Sequence, residues 1–331
     1  MMLKISDLSF EYPDGVKALE NINLEIRDKN LIVLLGESGC GKTTLVKLIC
    51  GFLDPKAGHI ILNDEDITNL TTASRDLTMV FQNIVLYPHM TIYENVMTSF
   101  NGIKLSEDEK DERVKNILTQ FGLRNYLNFK PRNLSLGQKQ RVAICKALVR
   151  KPALFILDEP LSNVDVPQKK AILKELKQLY EKMDSSYIYV THDIEDAEYL
   201  STYVVLLDKG KAAQTGRIND IKDNPNSLKV ANLIYNGLIN CIERSDTSPL
   251  SKLFESKKNS QTLCIPYKGI KIHDSGEFSG KFLSAKITPK GIQLSLRLEN
   301  GDELSILVDE EEIPYKENDI VHFDVVKSFL F

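Results

Sequence analysis

Leu31-Ile-Val-Leu-Leu-Gly-Glu-Ser-Gly-Cys-Gly-Lys-Thr43 passes from five consecutive apolar residues into a glycine-rich loop ending in Lys-Thr. The apolar run suits a strand covered on both faces. Gly36 to Thr43 fits the spacing GxxxxGK[ST] at every fixed position. Glycines there let successive backbone N–H groups turn inward onto phosphate oxygens, and the following helix adds its positive end. Gly36, Glu37, Ser38, Gly39, Cys40, Gly41, Lys42, Thr43 and Thr44 are therefore expected to cradle the phosphates of a nucleotide. Lys42 supplies charge to the β- and γ-phosphates and Thr43 offers a hydroxyl to Mg2+. A chance glycine-rich turn would not explain why Leu45, Leu48, Ile49 and Phe52 follow at helical spacing. Cys40 stands at a helix start, where a thiol can be acidified; it reads instead as a small residue filling the loop.

Outward from this stretch, Leu154-Phe-Ile-Leu-Asp158-Glu159 ends a second apolar run with two carboxylates. Ligands of open α/β sheets bind at the carboxyl ends of strands, so this end is expected to face the cradle. Asp158 is then placed to hold Mg2+. Glu159, pointing the other way along the strand, is placed to act as general base on an attacking water. Tyr187-Ile-Tyr-Val-Thr-His192 brings a histidine to the same edge. A lone histidine is more often a structural group, but this location favours contact with the γ-phosphate.

The rest of the chain supplies the frame. Leu3, Ile5, Leu8 and Phe10 are spaced roughly as a half-buried strand, and Ile22 to Ile26 alternates. Gly58 to Ile67 reads as a hairpin about Asn63-Asp64. Residues 90–150 are mostly helical, and Ile172, Leu176, Leu179 and Met183 mark one face of a further helix. Strands alternate with helices up to residue 236, predicting an α/β fold with a mainly parallel sheet, an antiparallel β portion and a helical subdomain at 88–150. Residues 237–331 change to short alternating strands and turns, an all-β module expected to form a small barrel.

Composition narrows the partners. The 331 residues carry a formal charge of −4, which gives no electrostatic reason to expect nucleic acid or anionic lipid. The five cysteines are scattered without a CxxC pair, which fits a reducing compartment better than a disulfide framework. The first ten residues lack a signal-peptide layout and no apolar run reaches membrane-spanning length. Any membrane role is expected to come through a partner.

The class is narrowed by Leu134-Ser-Leu-Gly-Gln138, ending 20 residues ahead of Asp158. It resembles the LSGGQ signature of ABC ATPases. Gln82, in Met79-Val-Phe-Gln82, stands where that family has its Q-loop glutamine. Ser162-Asn-Val-Asp165 is similar to its D-loop, His192 to its switch histidine, and Tyr12 to its adenine-stacking aromatic. The resemblance spans residues 1 to about 235 and implies a composite site. Two copies, or this chain and a related ATPase subunit, would meet head to tail. ATP would lie between the cradle of one and Ser135, Gly137 and Gln138 of the other, with Asp165 at the same interface. Gln82 would ligate Mg2+ and sense a membrane partner. Two positions depart from the family pattern: Leu136 replaces the first glycine of the signature, and Lys146 stands where an arginine is usual.

Met79 to Val96 is similar to the segment after the Q-loop in importer subunits of the maltose, glycerol-phosphate and polyamine kind. The C-terminal module resembles their OB-like (TOBE) domain, expected to be regulatory or to clamp a dimer. The resemblance implies an Mg-ATP-hydrolysing subunit at the cytoplasmic membrane face, bound to transmembrane permease subunits and, through them, to a solute-binding protein. A sugar or related solute is the favoured cargo. The alternative is a non-transport ABC ATPase working on ribosomes or nucleic acid, but one cradle, one signature and no sustained heptads argue against it. A GTPase-like switch would need an NKxD motif, which is absent.

Overall fold

The structure is a computed structural model that describes residues 3–26, 31–81, 85–162, 164–181, 185–200, 203–255, 259–309 and 313–331. The chain divides into two compact units, Met1–Ile218 and Asn219–Phe331.

In the first unit, β1 (Leu3–Glu11) and β2 (Lys17–Ile26) form an antiparallel pair ahead of β3 (Leu31–Leu35) and α1 (Lys42–Cys50). The irregular apolar spacing of β1 has a structural cause. The ladder shifts between Ile5 and Leu8, around Asp7 at φ +49°, so both Ile5 and Leu8 still face the core. β4 (Ala57–Leu62) and β5 (Glu65–Asp66) make the expected hairpin, with Asn63 and Asp64 both at positive φ. Together these strands give a four-stranded sheet in the order β2-β1-β4-β5.

After β6 (Leu77–Val80) come three helices, α2 (Ile92–Met97), α3 (Glu107–Gln120) and α4 (Leu136–Leu148). Each opens on a capping box, Thr91/Glu94, Ser106/Glu109 and Ser135/Gln138, in which side chains satisfy the free N–H groups of the first turn. β7 (Leu154–Asp158), α5 (Val166–Tyr180), β8 (Ser186–Thr191), α6 (Ile194–Leu200), β9 (Tyr203–Asp208) and β10 (Lys211–Arg217) complete the unit. Met183, read above as part of the α5 face, lies outside the described residues. The second sheet runs β10-β9-β3-β8-β7-β6, parallel except for β10, and β3, β7 and β8 are buried throughout. One apolar core spans both sheets and α1. Arg75 is buried in it and donates to the carbonyls of Leu48 and Ile49, satisfying the last turn of α1.

The second unit contains most of α7 (Ile218–Asp223) and all of α8 (Leu228–Ile234). These helices group with the β module by packing, whereas the sequence reading sets the division at residue 236. Ala231 and Tyr235 pack with Ile239, Cys264 and Phe329, which draws α8 onto the β strands. β11 (Ile239–Glu243), β12 (Thr262–Pro266), β13 (Ile270–Ile272), β14 (Phe278–Thr288), β15 (Gly291–Arg297), β16 (Glu303–Val308), β17 (Ile320–Val325) and β18 (Phe329–Leu330) follow. They form two antiparallel sheets, β11-β12-β18 and β13-β17-β14-β15-β16, around one core. Where the sequence suggests a small barrel, the ladder of described residues runs open from β13 to β16 and the shared core joins the two sheets.

Candidate active site

Strand register brings the chemistry together. β8 lies between β3 and β7, with Leu35 level with Thr191 and Asp158 level with Val190. The residues leaving these three strands are Gly36, Glu159 and His192. They emerge side by side at the carboxyl edge of the sheet, the position expected for a ligand crevice.

The loop after β3 is shaped for phosphate. Gly39 and Gly41 hold φ +81° and +109°, a region that disfavours any side chain. A Cβ on Gly41 would also lie 2.7 Å from the carbonyl oxygen of Ala18. The N–H of Gly210, in the tight turn between β9 and β10, pins the loop by donating to the Cys40 carbonyl at 2.9 Å. Glu37, Ser38 and Gly39 are exposed at its rim, whereas Lys42 and Thr44 are buried. Lys42 Nζ folds over the loop and donates to the carbonyls of Gly36 and Glu37 at 2.8 and 3.0 Å. Cys40 is buried, and burial pushes its thiol up, so it packs the loop and is not an activated nucleophile. The Tyr12 ring meets Phe10 edge-on, and its hydroxyl pairs with Thr44 Oγ1 at 2.9 Å, tying this aromatic to α1.

Two carboxylates face the loop. Thr43 Oγ1 donates to Asp158 Oδ1 at 3.4 Å. Burial pushes the Asp158 carboxyl above its usual value, with the neighbouring Glu159 adding to the rise and Thr43 and Lys42 opposing it. A buried carboxylate beside a hydroxyl is a hard-oxygen donor set suited to Mg2+. Glu159 departs from the sequence expectation: it does not continue the strand with alternating direction. β7 ends at Asp158, and Glu159 turns at φ +44° while its N–H donates to the Val190 carbonyl. That turn places Oε1 3.7 Å from Lys42 Nζ and Oε2 3.4 Å from His192 Nδ1. A glutamate held in a left-handed conformation stores strain, a feature that clusters at functional sites.

His192 itself is exposed, but the turn carrying it is held from beneath. Lys169 of α5 bridges Asp193 at 2.6 Å and buried Asp196 at 2.7 Å, and Thr191 Oγ1 donates to Asp196 at 2.9 Å. Burial pushes the Asp196 carboxyl up against the pull of Lys169. For Lys169 burial works downward, but the bonds to both aspartates outweigh it and raise the amine. Sequence patterning missed this network, because no motif marks Lys169.

Ser135, Gly137, Gln138 and Asp165 form a second cluster, at the amino ends of α4 and α5. Ser135 and Gln138 exchange capping bonds of 2.9 and 3.2 Å. Asp165 accepts from the Gln168 backbone and side chain at 3.0 and 2.6 Å. Gln168 Oε1 in turn closes over Gly137. Gln168 was also overlooked, although Asp165 three residues ahead of it is a cap-and-reply spacing legible in sequence. Lys146 sits over the Tyr87 ring, 4.4 Å from its centre, a structural contact. Gln82 lies outside the described residues.

Comparison with known proteins identifies the family. Residues 19–162 match the family model described as ABC transporter, a span that holds the cradle, the signature and Asp158-Glu159. The chain is 35% identical to the spermidine/putrescine import ATP-binding protein PotA of Hahella chejuensis, over 92% of this chain and 88% of that protein. It is 36% identical to the sn-glycerol-3-phosphate import ATP-binding protein UgpC of Bartonella quintana, over 73% of this chain and 70% of the other. Among solved structures, a dimeric post-hydrolysis state of the ATP-binding cassette MJ0796 bound to ADP and Pi matches with a TM-score of 0.59 and 28% identity. It covers 65% of this chain and 98% of that one.

Proposed function

The chain belongs to the import ATP-binding subunits of ABC transporters, and from that premise we propose how its residues bind and hydrolyse ATP. The observation that carries the proposal is the shared register of β3, β8 and β7, which sets Gly36, His192 and Glu159 on one sheet edge. The loop from Gly36 to Thr44 wraps the triphosphate with backbone N–H groups, and Lys42 exchanges its carbonyl partners for β- and γ-phosphate oxygens. Tyr12 stacks on the base. Thr43 and Asp158 would hold Mg2+, with Gln82 as a further ligand by the family resemblance, and the ion would supply charge neutralisation at the phosphates when bound. Glu159 accepts a proton from the attacking water. His192 orients Glu159 and contacts the γ-phosphate.

In this reading the second cluster serves another copy's nucleotide. Ser135 and Gln138 already satisfy each other at the start of α4, and exposed Ser135 with half-buried Gln138 leaves the helix end open to a phosphate. ATP then becomes part of a head-to-tail interface between two copies or between this chain and a related subunit. Binding favours the closed pair, and hydrolysis releases it. The solved MJ0796 cassette is a dimer bound to ADP and Pi, which supports this arrangement.

No helix among the described residues is long and apolar enough to cross a membrane. On the strength of the family, we assign coupling to transport to transmembrane permease subunits at the cytoplasmic membrane face, with a solute-binding protein reached through them. The matched relatives are named for polyamines in one case and glycerol phosphate in the other. One set of ATPase motifs thus serves different cargos, and the cargo is selected by the membrane and solute-binding subunits. The unit Asn219–Phe331 is assigned a regulatory or dimer-clamping role.

Steady-state hydrolysis with equilibrium ATP binding tests the site. Glu159→Gln is expected to lose roughly 10²-fold or more in hydrolysis, the scale of a general base, while binding ATP as the parent does. Hydrolysis at the parental rate would remove Glu159 from the role.

A further inference from the structure

β11 and β12 run antiparallel with Cys241 directly opposite Cys264. Backbone bonds fix the type of pair. The N–H of Tyr267 donates to the Leu238 carbonyl, and that of Arg244 to the Gln261 carbonyl. Hydrogen-bonded pairs alternate from these points, so Cys241 and Cys264 form a non-hydrogen-bonded pair, whose Cα atoms approach to about 4.5 Å. That separation lies within the range a disulfide spans. The two sulfurs stand 3.2 Å apart as free thiols. Closing them to a bond of about 2 Å needs a movement of roughly 1 Å, within the reach of two χ rotations and without a backbone shift.

The two thiols differ in access. Cys241 is exposed, while Cys264 is buried among Ala231, Ile239 and Phe329. Burial, with the hydrogen bond to Cys241 next, pushes the Cys264 thiol well up. Exposure makes Cys241 the entry point; Cys264, a poor nucleophile in isolation because its thiol is raised, acts as the resolving group only through its 3.2 Å proximity to the Cys241 sulfur.

We propose that Cys241 and Cys264 are a modification site: a dithiol that a low-molecular-weight disulfide converts to an intrachain disulfide. The Cys241 thiolate attacks one sulfur of RS–SR, forming a mixed disulfide and releasing RS⁻. The Cys264 sulfur then attacks the Cys241 sulfur, its proton leaving with the second RSH. Two protein thiols are oxidised, and one RS–SR is reduced to two RSH. The product ties β11, the strand that follows α8, to the middle of the β11-β12-β18 sheet. Reduction reverses it. The site is independent of the ATPase assignment, since it uses no residue of the nucleotide cradle.

The test treats the full chain with oxidised glutathione, counts thiols and maps linked peptides, then adds dithiothreitol. Two of the five thiols should disappear, a Cys241–Cys264 peptide should form, and the melting temperature should rise; dithiothreitol should restore both thiols. Cys264→Ser should stop at one glutathione on residue 241, and Cys241→Ser should leave Cys264 unreacted. A parent chain that stops at the mixed disulfide, links to a second chain, or loses neither thiol would overturn the proposal.

Discussion

Gln168 occupies the space above Gly137: a Cβ built on that glycine would lie 2.1 Å from Gln168 Oε1. The contact locks the start of the signature helix to the start of α5, because the same glutamine is held by Asp165. Gly137→Ala must push the Gln168 side chain aside and break its 2.6 Å bond to Asp165. The alanine itself favours the helix by about 1 kcal/mol, which offsets the lost contact. Thermal stability is therefore expected to stay within a few degrees, while ATP hydrolysis falls at least tenfold. Unchanged hydrolysis in Gly137→Ala would separate this cluster from catalysis.

Asp158 carries the opposite trade. Its carboxyl is raised by burial, so between the ordinary aspartate value and the raised one the folded chain holds more proton than the unfolded chain. Stability from this group falls as pH climbs through that window. Asp158→Asn removes the buried charge. The variant is expected to melt roughly 2–4 °C higher at neutral pH, the scale of about 1 kcal/mol in a unit of this size. It should also lose the Mg2+ dependence of ATP binding. Melting curves at acid and neutral pH, with binding measured with and without Mg2+, check both halves.

Lys169→Met leaves Asp196 buried beside Asp193 without its cation. Removing one partner of a buried pair costs about 3 kcal/mol, toward the low end because Lys169 is partly exposed. The turn carrying His192 loses its support as well. Denaturant unfolding should show the loss, and Asp196→Asn combined with Lys169→Met should recover much of it. A single mutant as stable as the parent would show that the network carries no weight.

Leu136 replaces the first glycine of the signature and is half-exposed beside buried Gly137. A branched side chain there stands where another copy's nucleotide is proposed to bind. Leu136→Gly is expected to strengthen ATP-driven association and raise the hydrolysis rate. Equal association and rate in the two proteins would show that the side chain is accommodated freely.

The local chemistry was legible in sequence wherever it is carried by contiguous residues. The cradle and the carboxylate pair each lie within one short stretch that periodicity places at a strand end, whereas the signature is read through its family resemblance and its capping box emerges only in the structure. Glu159 shows the limit: alternation predicted a side chain opposite to Asp158, but the backbone leaves β-space at that residue and turns the carboxylate toward Lys42 and His192. Lys169 and Arg75 were invisible because each acts across sequence separations that only packing closes, and the same holds for the contact of Gln168 over Gly137, though not for its local bond to Asp165. Cys241 and Cys264 are 23 positions apart and show no ligand spacing, yet strand register sets them face to face. The sequence reading places α7 and α8 with the ATPase unit by continuity of helical pattern, whereas most of α7 and all of α8 fall in the second unit, where α8 packs on β11, β12 and β18.

The composite site is tested most directly by the molar mass of Glu159→Gln in solution, by light scattering, with and without Mg-ATP. Mg-ATP should drive this non-hydrolysing variant into a two-chain closed species, and Ser135→Arg in the same background should abolish the shift. If the variant binds Mg-ATP fully and its mass stays unchanged, with the permease subunits present as well as absent, the nucleotide is not shared between two copies.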